Sequence, residues 1–298
     1  MGKGYVRTPG IGADAQVAAW KKVTEAVHAQ GGRIFMQLWH TGRISPPALL
    51  PEGAVPVAPS AIKPAGQSWT PSGLQDFVTP RALSVDEIAA IIADFRIATR
   101  RALEAGCDGV ELHAASGYLP EQFLASGANQ RQDQYGGSVA NRARFVLEVL
   151  AAMVAARPGL RVPGAWVKIA PEMHFNDIVD ANPQETYTYL VEQLRGLNLA
   201  YLHVALFGAK FDYHARLRPR FNGAYLIGGG LDQKSAEAAV ADGRADATVF
   251  GSAFLANPDL PERFRRGAPL NTPDPSTFYS PGAQGYTDYP FLSGTSAA

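Results

Sequence analysis

Gly109-Val-Glu-Leu-His113-Ala-Ala-Ser116-Gly-Tyr118-Leu119 is the stretch from which the rest of the chain becomes intelligible. An apolar run ends in a histidine, followed three residues later by a serine and two after that by a tyrosine. A buried parallel strand that delivers polar groups to the loop at its C-terminal end has this pattern. Upstream, Ser84-Val-Asp-Glu87 has the spacing of a capping box, predicting a helix that runs to Ala105, with Gly106 closing it before the strand Gly109–His113.

The same alternation extends in both directions. Residues Ala15 to Gln30 read as an amphipathic helix stopped by Gly31-Gly32, ahead of the strand Arg33-Ile-Phe-Met-Gln-Leu-Trp39. Further strands are expected near 165–171, 201–207, 224–230 and 247–252. Helices are expected at Asn141–Ala156, Pro183–Arg195, Gln233–Asp242 and Asp259–Arg265. This is the grammar of a parallel α/β fold. Polar or glycine-rich clusters after nearly every strand favour a TIM (β/α)8-type barrel over an open doubly wound sheet. Residues 43–81 carry eight prolines and form a long excursion of the kind that covers a site. No interdomain linker or internal repeat breaks residues 1–298, which are read as one domain.

Composition narrows the function. With 27 Lys+Arg against 27 Asp+Glu, the chain has no positive field for nucleic acid and no basic run for a membrane surface. Its single cysteine, Cys107, excludes an internal disulfide framework and fits a reducing cytoplasm, and no zinc-type Cys/His spacing is present. Residues 1–20 lack the apolar core of a signal peptide. There is no G-x-S-x-G elbow and no P-loop, and Gly2-Lys-Gly4-Tyr-Val-Arg7 fails the dinucleotide fingerprint at its last position. His203, between Leu202 and Val204, reads as a core residue, and His174 and His214 have no ligand partners at useful spacing.

Several blocks then carry a resemblance. Gln37-Leu-Trp39-His40-Thr-Gly-Arg43, Asp108-Gly-Val-Glu-Leu-His113 with Gly117-Tyr118-Leu, Tyr135-Gly-Gly-Ser-Val-Ala-Asn-Arg142-Ala-Arg-Phe145, Phe175-Asn-Asp177, Ala256-Asn-Pro-Asp-Leu260 and Gly285-Tyr-Thr-Asp-Tyr-Pro290 resemble the Old Yellow Enzyme family, in family order and over nearly the whole chain. The resemblance implies a barrel that binds FMN without a covalent link and uses NADPH or NADH to reduce the C=C bond of a small activated alkene. It also implies a homodimer as the family's habit.

Roles carry over residue by residue. The resemblance implies that His113 and Ser116 hydrogen-bond the substrate carbonyl and that Tyr118 protonates the α-carbon. A phenol with an ordinary pKa near 10 is protonated at neutral pH and so available as an acid. It places Gln37 and Lys168 on the flavin, Gly228, Gly229, Gly230, Gly251 and Ser252 at its phosphate, and Trp39 and Tyr279 beside the substrate. Three positions depart from the family pattern. Ser116 stands where Asn or His is usual, Lys168 where Arg is usual, and Ser252 where an Arg usually follows the second glycine. Charge survives at Lys168 but the planar fork is lost. Met1-Gly-Lys-Gly-Tyr5 resembles the segment after the family's second barrel strand. About six of eight strands are therefore expected, with Met1 an internal methionine of a longer protein and unpaired edges on strands 33–39 and 247–252. The competing expectation is a remnant or interaction partner that no longer retains flavin or catalyses.

Overall fold

The computed structural model describes residues 2–156 and 165–292. The chain divides into two compact units, Met1–Leu226 and Ile227–Ala298.

In the first unit the parallel strands Phe35–Leu38, Gly109–Ala114, Ala165–Ile169 and Tyr201–Ala205 lie side by side in chain order, and Ala224–Gly228 follows as the unit ends. Each expected strand is present: the one expected at Gly109–His113 runs one residue further, to Ala114, and the others are shorter by two or three residues. The helix expected from Ala15 covers Asp14–Ala29, and the capped one covers Val85–Glu104. The cap is as expected: Ser84 Oγ accepts from the Glu87 amide at 3.2 Å, and Glu87 accepts from the Ser84 amide at 2.8 Å.

Register assigns the two faces of the sheet. Leu38 lies opposite Leu112, Leu112 opposite Val167 and Val167 opposite Leu202, forming an apolar row. It belongs to the core with Phe95 and Ala102 of the Val85 helix and Phe145, Val149 and Leu150 of the Val139–Ala155 helix, all of them buried. Each of the larger side chains contributes roughly 1.5–3 kcal/mol of burial, enough to hold these helices on one face. Because strand side chains alternate, the opposite face receives the polar set. Gln37 is opposite Glu111 and Glu111 opposite Trp166, while His113 is opposite Lys168 and Lys168 opposite His203.

An aromatic floor lies on that face. Phe35 and Trp166 meet edge to face at 4.4 Å, and Trp166 stacks on Tyr201 at 5.2 Å. The Trp166 ring occupies the space over Gly109, where a Cβ would come within 1.5 Å of it. Glycine at 109 is therefore required by the floor.

The Phe35 strand ends the sheet order, and beside it lies a cleft of about 690 Å³ lined by Trp20, Met36, Gln37, Phe95 and neighbouring residues. The proline-rich excursion contains a two-stranded hairpin, Gln67–Thr70 with Gly73–Asp76, and short 3-10 turns. A helix not anticipated from the pattern, Leu119–Leu124, follows Tyr118 directly.

The second unit carries the helix Gln233–Ala241, the strand Ala247–Val249, the short helix Ser252–Ala256 and the helix Leu260–Arg266. Its Ala256-Asn-Pro-Asp-Leu260 block is structural. Asn257 donates to the Ala253 carbonyl and exchanges hydrogen bonds with Asn271, and Asp259 accepts from Arg263 at 2.6 Å and from the Leu292 amide at 2.6 Å. Arg263 also donates to the carbonyls of Pro269 and Pro290, pinning the C-terminal segment.

Candidate active site

His113 ends its strand among buried residues, and the chain must then turn sharply enough to bring Tyr118 back beside it. Gly117 makes this possible with φ of 74°, and a Cβ there would press within 2.7 Å of the Phe175 carbonyl. The turn is tied from several sides. The Gly117 amide donates to Glu121 at 2.6 Å, Gln122 Nε2 donates to the Gly117 carbonyl at 2.7 Å, and the Leu119 amide donates to the His40 carbonyl at 2.9 Å. His113 and Tyr118 consequently meet at 5.1 Å between ring centroids.

Trp39 fixes the pair from below. Its ring stacks on His113 at 6.0 Å and takes the edge of Tyr118 at 4.7 Å. On its other side Tyr5 stacks at 5.7 Å, and the Tyr5 hydroxyl lies 2.9 Å from that of Tyr118. Tyr5 was not singled out from the sequence, because no local pattern ties a residue near the N-terminus to one 113 positions away. The excursion does approach this site: Ile44 and Phe77 share a hydrophobic cluster with Tyr118, Tyr5 and Trp39. Arg43, itself buried, donates to the carbonyl of Asp177, and Asp177 accepts from the Ala65 amide at 3.0 Å, which accounts for both family motifs structurally.

Burial pushes the His113 pKa down to about 3, with the nearby Lys168 charge acting in the same direction. The ring is neutral at physiological pH and has one N–H to give. Its Nδ1 is buried with no hydrogen-bond partner, an unsatisfied polar atom of the kind a ligand completes. Ser116 adopts φ of 61°, and its hydroxyl rests 3.6 Å from Met173 Sδ, a weak acceptor that leaves it available to a better one.

Gln37, on the polar face of the sheet, is paired with a carboxylate. Its Nε2 donates to Glu111 at 2.5 Å, while the residue itself is exposed toward open space. Lys168 is half-buried, and burial lowers its pKa while Glu111 opposes the shift. His203 is buried as expected but is not an apolar-core histidine: it lies on the polar face, its Nδ1 3.4 Å from Glu111.

In the second unit Gly229 and Gly230 take φ of 96° and 66°, and a Cβ at Gly230 or Gly251 would meet nothing within 4 Å. A side chain at either position would face open space. The start of the Gln233 helix is capped by its own acid, Asp232, which accepts from Ser235 at 2.8 Å. Tyr279 is 87% exposed with φ of 61°.

Residues 1–271 match the model of the NADH:flavin oxidoreductase / NADH oxidase family. The chain is 43% identical over 302 residues to 12-oxophytodienoate reductase 1 of Oryza sativa subsp. japonica, covering 97% of this chain and 77% of that protein. It is similar to the structure of morphinone reductase in complex with tetrahydroNAD, with a TM-score of 0.92 and 47% identity over 98% of this chain and 82% of that one. The Old Yellow Enzyme homologue from Zymomonas mobilis superimposes with a TM-score of 0.92 at 37% identity, covering 98% and 83% of the two chains.

Proposed function

Since the chain belongs to the NADH:flavin oxidoreductase / NADH oxidase family, the Old Yellow Enzymes, we propose that it is an FMN-dependent ene-reductase that uses NADPH or NADH to reduce the C=C bond of small α,β-unsaturated carbonyl compounds. The observation that carries this reading is the neutral His113, with an unsatisfied ring nitrogen, held on Trp39 beside the Tyr118 phenol.

The donors of the first unit suit the flavin ring of FMN, and those of the second, taken by themselves, suit a phosphate. Gln37 offers an amide to an imide edge, Lys168 a cation to an electron-rich ring, and Gly228, Gly229, Gly230, Gly251 and Ser252 offer backbone and hydroxyl donors to a phosphate. FMN, when bound, supplies the two-electron carrier that accepts hydride from a nicotinamide and returns it to the alkene.

The protein's own residues do the rest. His113 donates its single N–H to the substrate carbonyl oxygen, where charge accumulates as the alkene is reduced, and Ser116 is the second donor. Being neutral, His113 polarises the carbonyl without surrendering a full proton. Tyr118 holds its proton at the phenolic oxygen and gives it to the α-carbon, completing addition of H⁻ and H⁺ across the bond. Trp39 keeps these rings in place and forms a wall against the substrate, and we assign Tyr279 to the substrate as well. We assign the chain to the cytoplasm on its single cysteine, which suits a reducing compartment; among the described residues no helix is long and apolar enough to cross a membrane.

The test is to purify the 298-residue chain with FMN, record the flavin absorbance, and follow oxidation of NADPH and NADH with cyclohexenone as acceptor. Stoichiometric flavin and acceptor-dependent oxidation are expected. A folded protein that takes up no flavin, both as these 298 residues and when extended upstream of Met1, overturns the proposal in favour of a non-catalytic remnant.

A further inference from the structure

Beneath His113 and Lys168 sits a carboxylate that the reaction above does not use. Glu111 is 7% exposed and gathers donors from two other strands. Its Oε1 accepts from Gln37 Nε2 at 2.5 Å, and its Oε2 accepts from the Tyr201 hydroxyl at 3.0 Å and faces His203 Nδ1 at 3.4 Å. Below it lies the floor of Phe35, Trp166 and Tyr201. Burial by itself would raise the Glu111 pKa, yet hydrogen bonds from His203, Gln37 and Tyr201 outweigh it and hold the carboxyl below its ordinary value.

An ionised carboxylate only accepts hydrogen bonds. The amide of Gln37 therefore has one polarity available: its NH2 group faces Glu111 and its carbonyl oxygen faces away, on an exposed residue of the strand. We propose that Glu111 is a positioning residue that locks the Gln37 amide, so that Gln37 presents its oxygen as an acceptor to the imide N–H of the flavin. The inference rests on the flavin reading above and names a residue that acts through Gln37. An imide edge has one N–H between two carbonyls, so an amide of the wrong polarity sets donor against donor there. Left to itself, a glutamine side chain turns over freely between the two states. Glu111 removes that freedom before the ligand arrives, which is preorganisation in the ordinary sense.

The probe is the affinity of FMN relative to 3-methyl-FMN, in which the imide N–H is replaced by N–CH3. The wild-type 298-residue chain should prefer FMN by roughly 50-fold, the worth of one hydrogen bond to a buried partner that would otherwise go unpaired. Glu111→Gln, whose amide both donates and accepts, should shrink the preference to within about fivefold. Glu111→Asp, which remains acceptor-only, should keep most of it. A merely structural role would weaken both ligands alike and leave the ratio where it was. That result in a folded Glu111→Gln protein overturns the inference. Should Glu111→Gln fail to fold, Gln37→Met takes its place: a ratio unchanged by loss of the Gln37 amide equally overturns it. A wild-type protein that binds neither ligand, whether or not extended upstream of Met1, defeats the flavin reading itself, and is thereby told apart from failure of the lock.

Discussion

The Tyr5 hydroxyl lies 2.9 Å from the Tyr118 hydroxyl, and the two rings meet at 88°. Tyr118 is 6% exposed, so a proton it gives to substrate must be replaced through a neighbour, and Tyr5, only partly buried, is in hydrogen-bond reach. Tyr5→Phe should lower kcat roughly fivefold, equivalent to one hydrogen bond of about 1 kcal/mol, and enlarge the solvent isotope effect. Tyr118→Phe should cost about 100-fold or more, the range for loss of a general acid. Stopped-flow reoxidation of the reduced enzyme by cyclohexenone in H2O and D2O measures both, and a Tyr5→Phe enzyme with unchanged kinetics would exclude a relay.

Ser116 has φ of 61°, a region in which Asn is far more at ease than other non-glycine residues. Ser116→Asn should therefore stabilise the chain by up to about 1 kcal/mol, seen as a higher Tm. It also adds a longer donor beside His113, and turnover should rise by about tenfold if the second carbonyl contact is what serine supplies poorly.

Glu121 is buried, accepting from the Gly117 amide and from the Tyr187 hydroxyl at 2.6 Å each. Burial nonetheless pushes its pKa up to about 7, with Asp180 adding to the rise. Because the folded state holds this proton more tightly than the unfolded chain, the contribution of Glu121 to stability is full below its unfolded pKa near 4.5 and is lost as pH rises to about 7. The loss amounts to about 3 kcal/mol by linkage. Glu121→Gln should accordingly gain on the wild type between pH 5 and pH 8 when unfolding is followed by denaturant titration. Parallel stability curves would mean that Glu121 does not titrate in this window.

Gly109→Ala places a Cβ where Trp166 lies, at 1.5 Å. Overpacking of this kind costs about 1–3 kcal/mol, and the displaced indole should show a shifted fluorescence maximum. Gly109→Ala combined with Trp166→Leu should recover part of the loss; a double variant no better than the single one would assign the cost to backbone instead.

Much of the first unit was legible because it depends on short-range patterning. The Ser84–Glu87 cap, the apolar runs ending at His113 and Ile169, and the glycines at helix ends act within a few residues of themselves, so the chain states them locally. The spacing of His113, Ser116 and Tyr118 belongs to the same class, since one turn and one short helix position all three.

What the linear chain could not display were pairings made by register. Tyr5 joins the site only because Trp39 is stacked between it and His113. Glu111 looks like one polar residue inside a strand until the sheet sets Gln37 opposite it and Tyr201 and His203 within reach. His203 passes for core because its sequence neighbours are apolar, whereas the alternation of the strand turns its ring to the polar face. Strand identity, helix capping and the spacing of His113, Ser116 and Tyr118 were determined by sequence alone, through local backbone and side-chain preference. The hydroxyl of Tyr5 beside Tyr118, the carboxylate opposite Gln37 and the glycine under Trp166 were decided by tertiary structure, since only the folded chain brings groups tens of residues apart into contact.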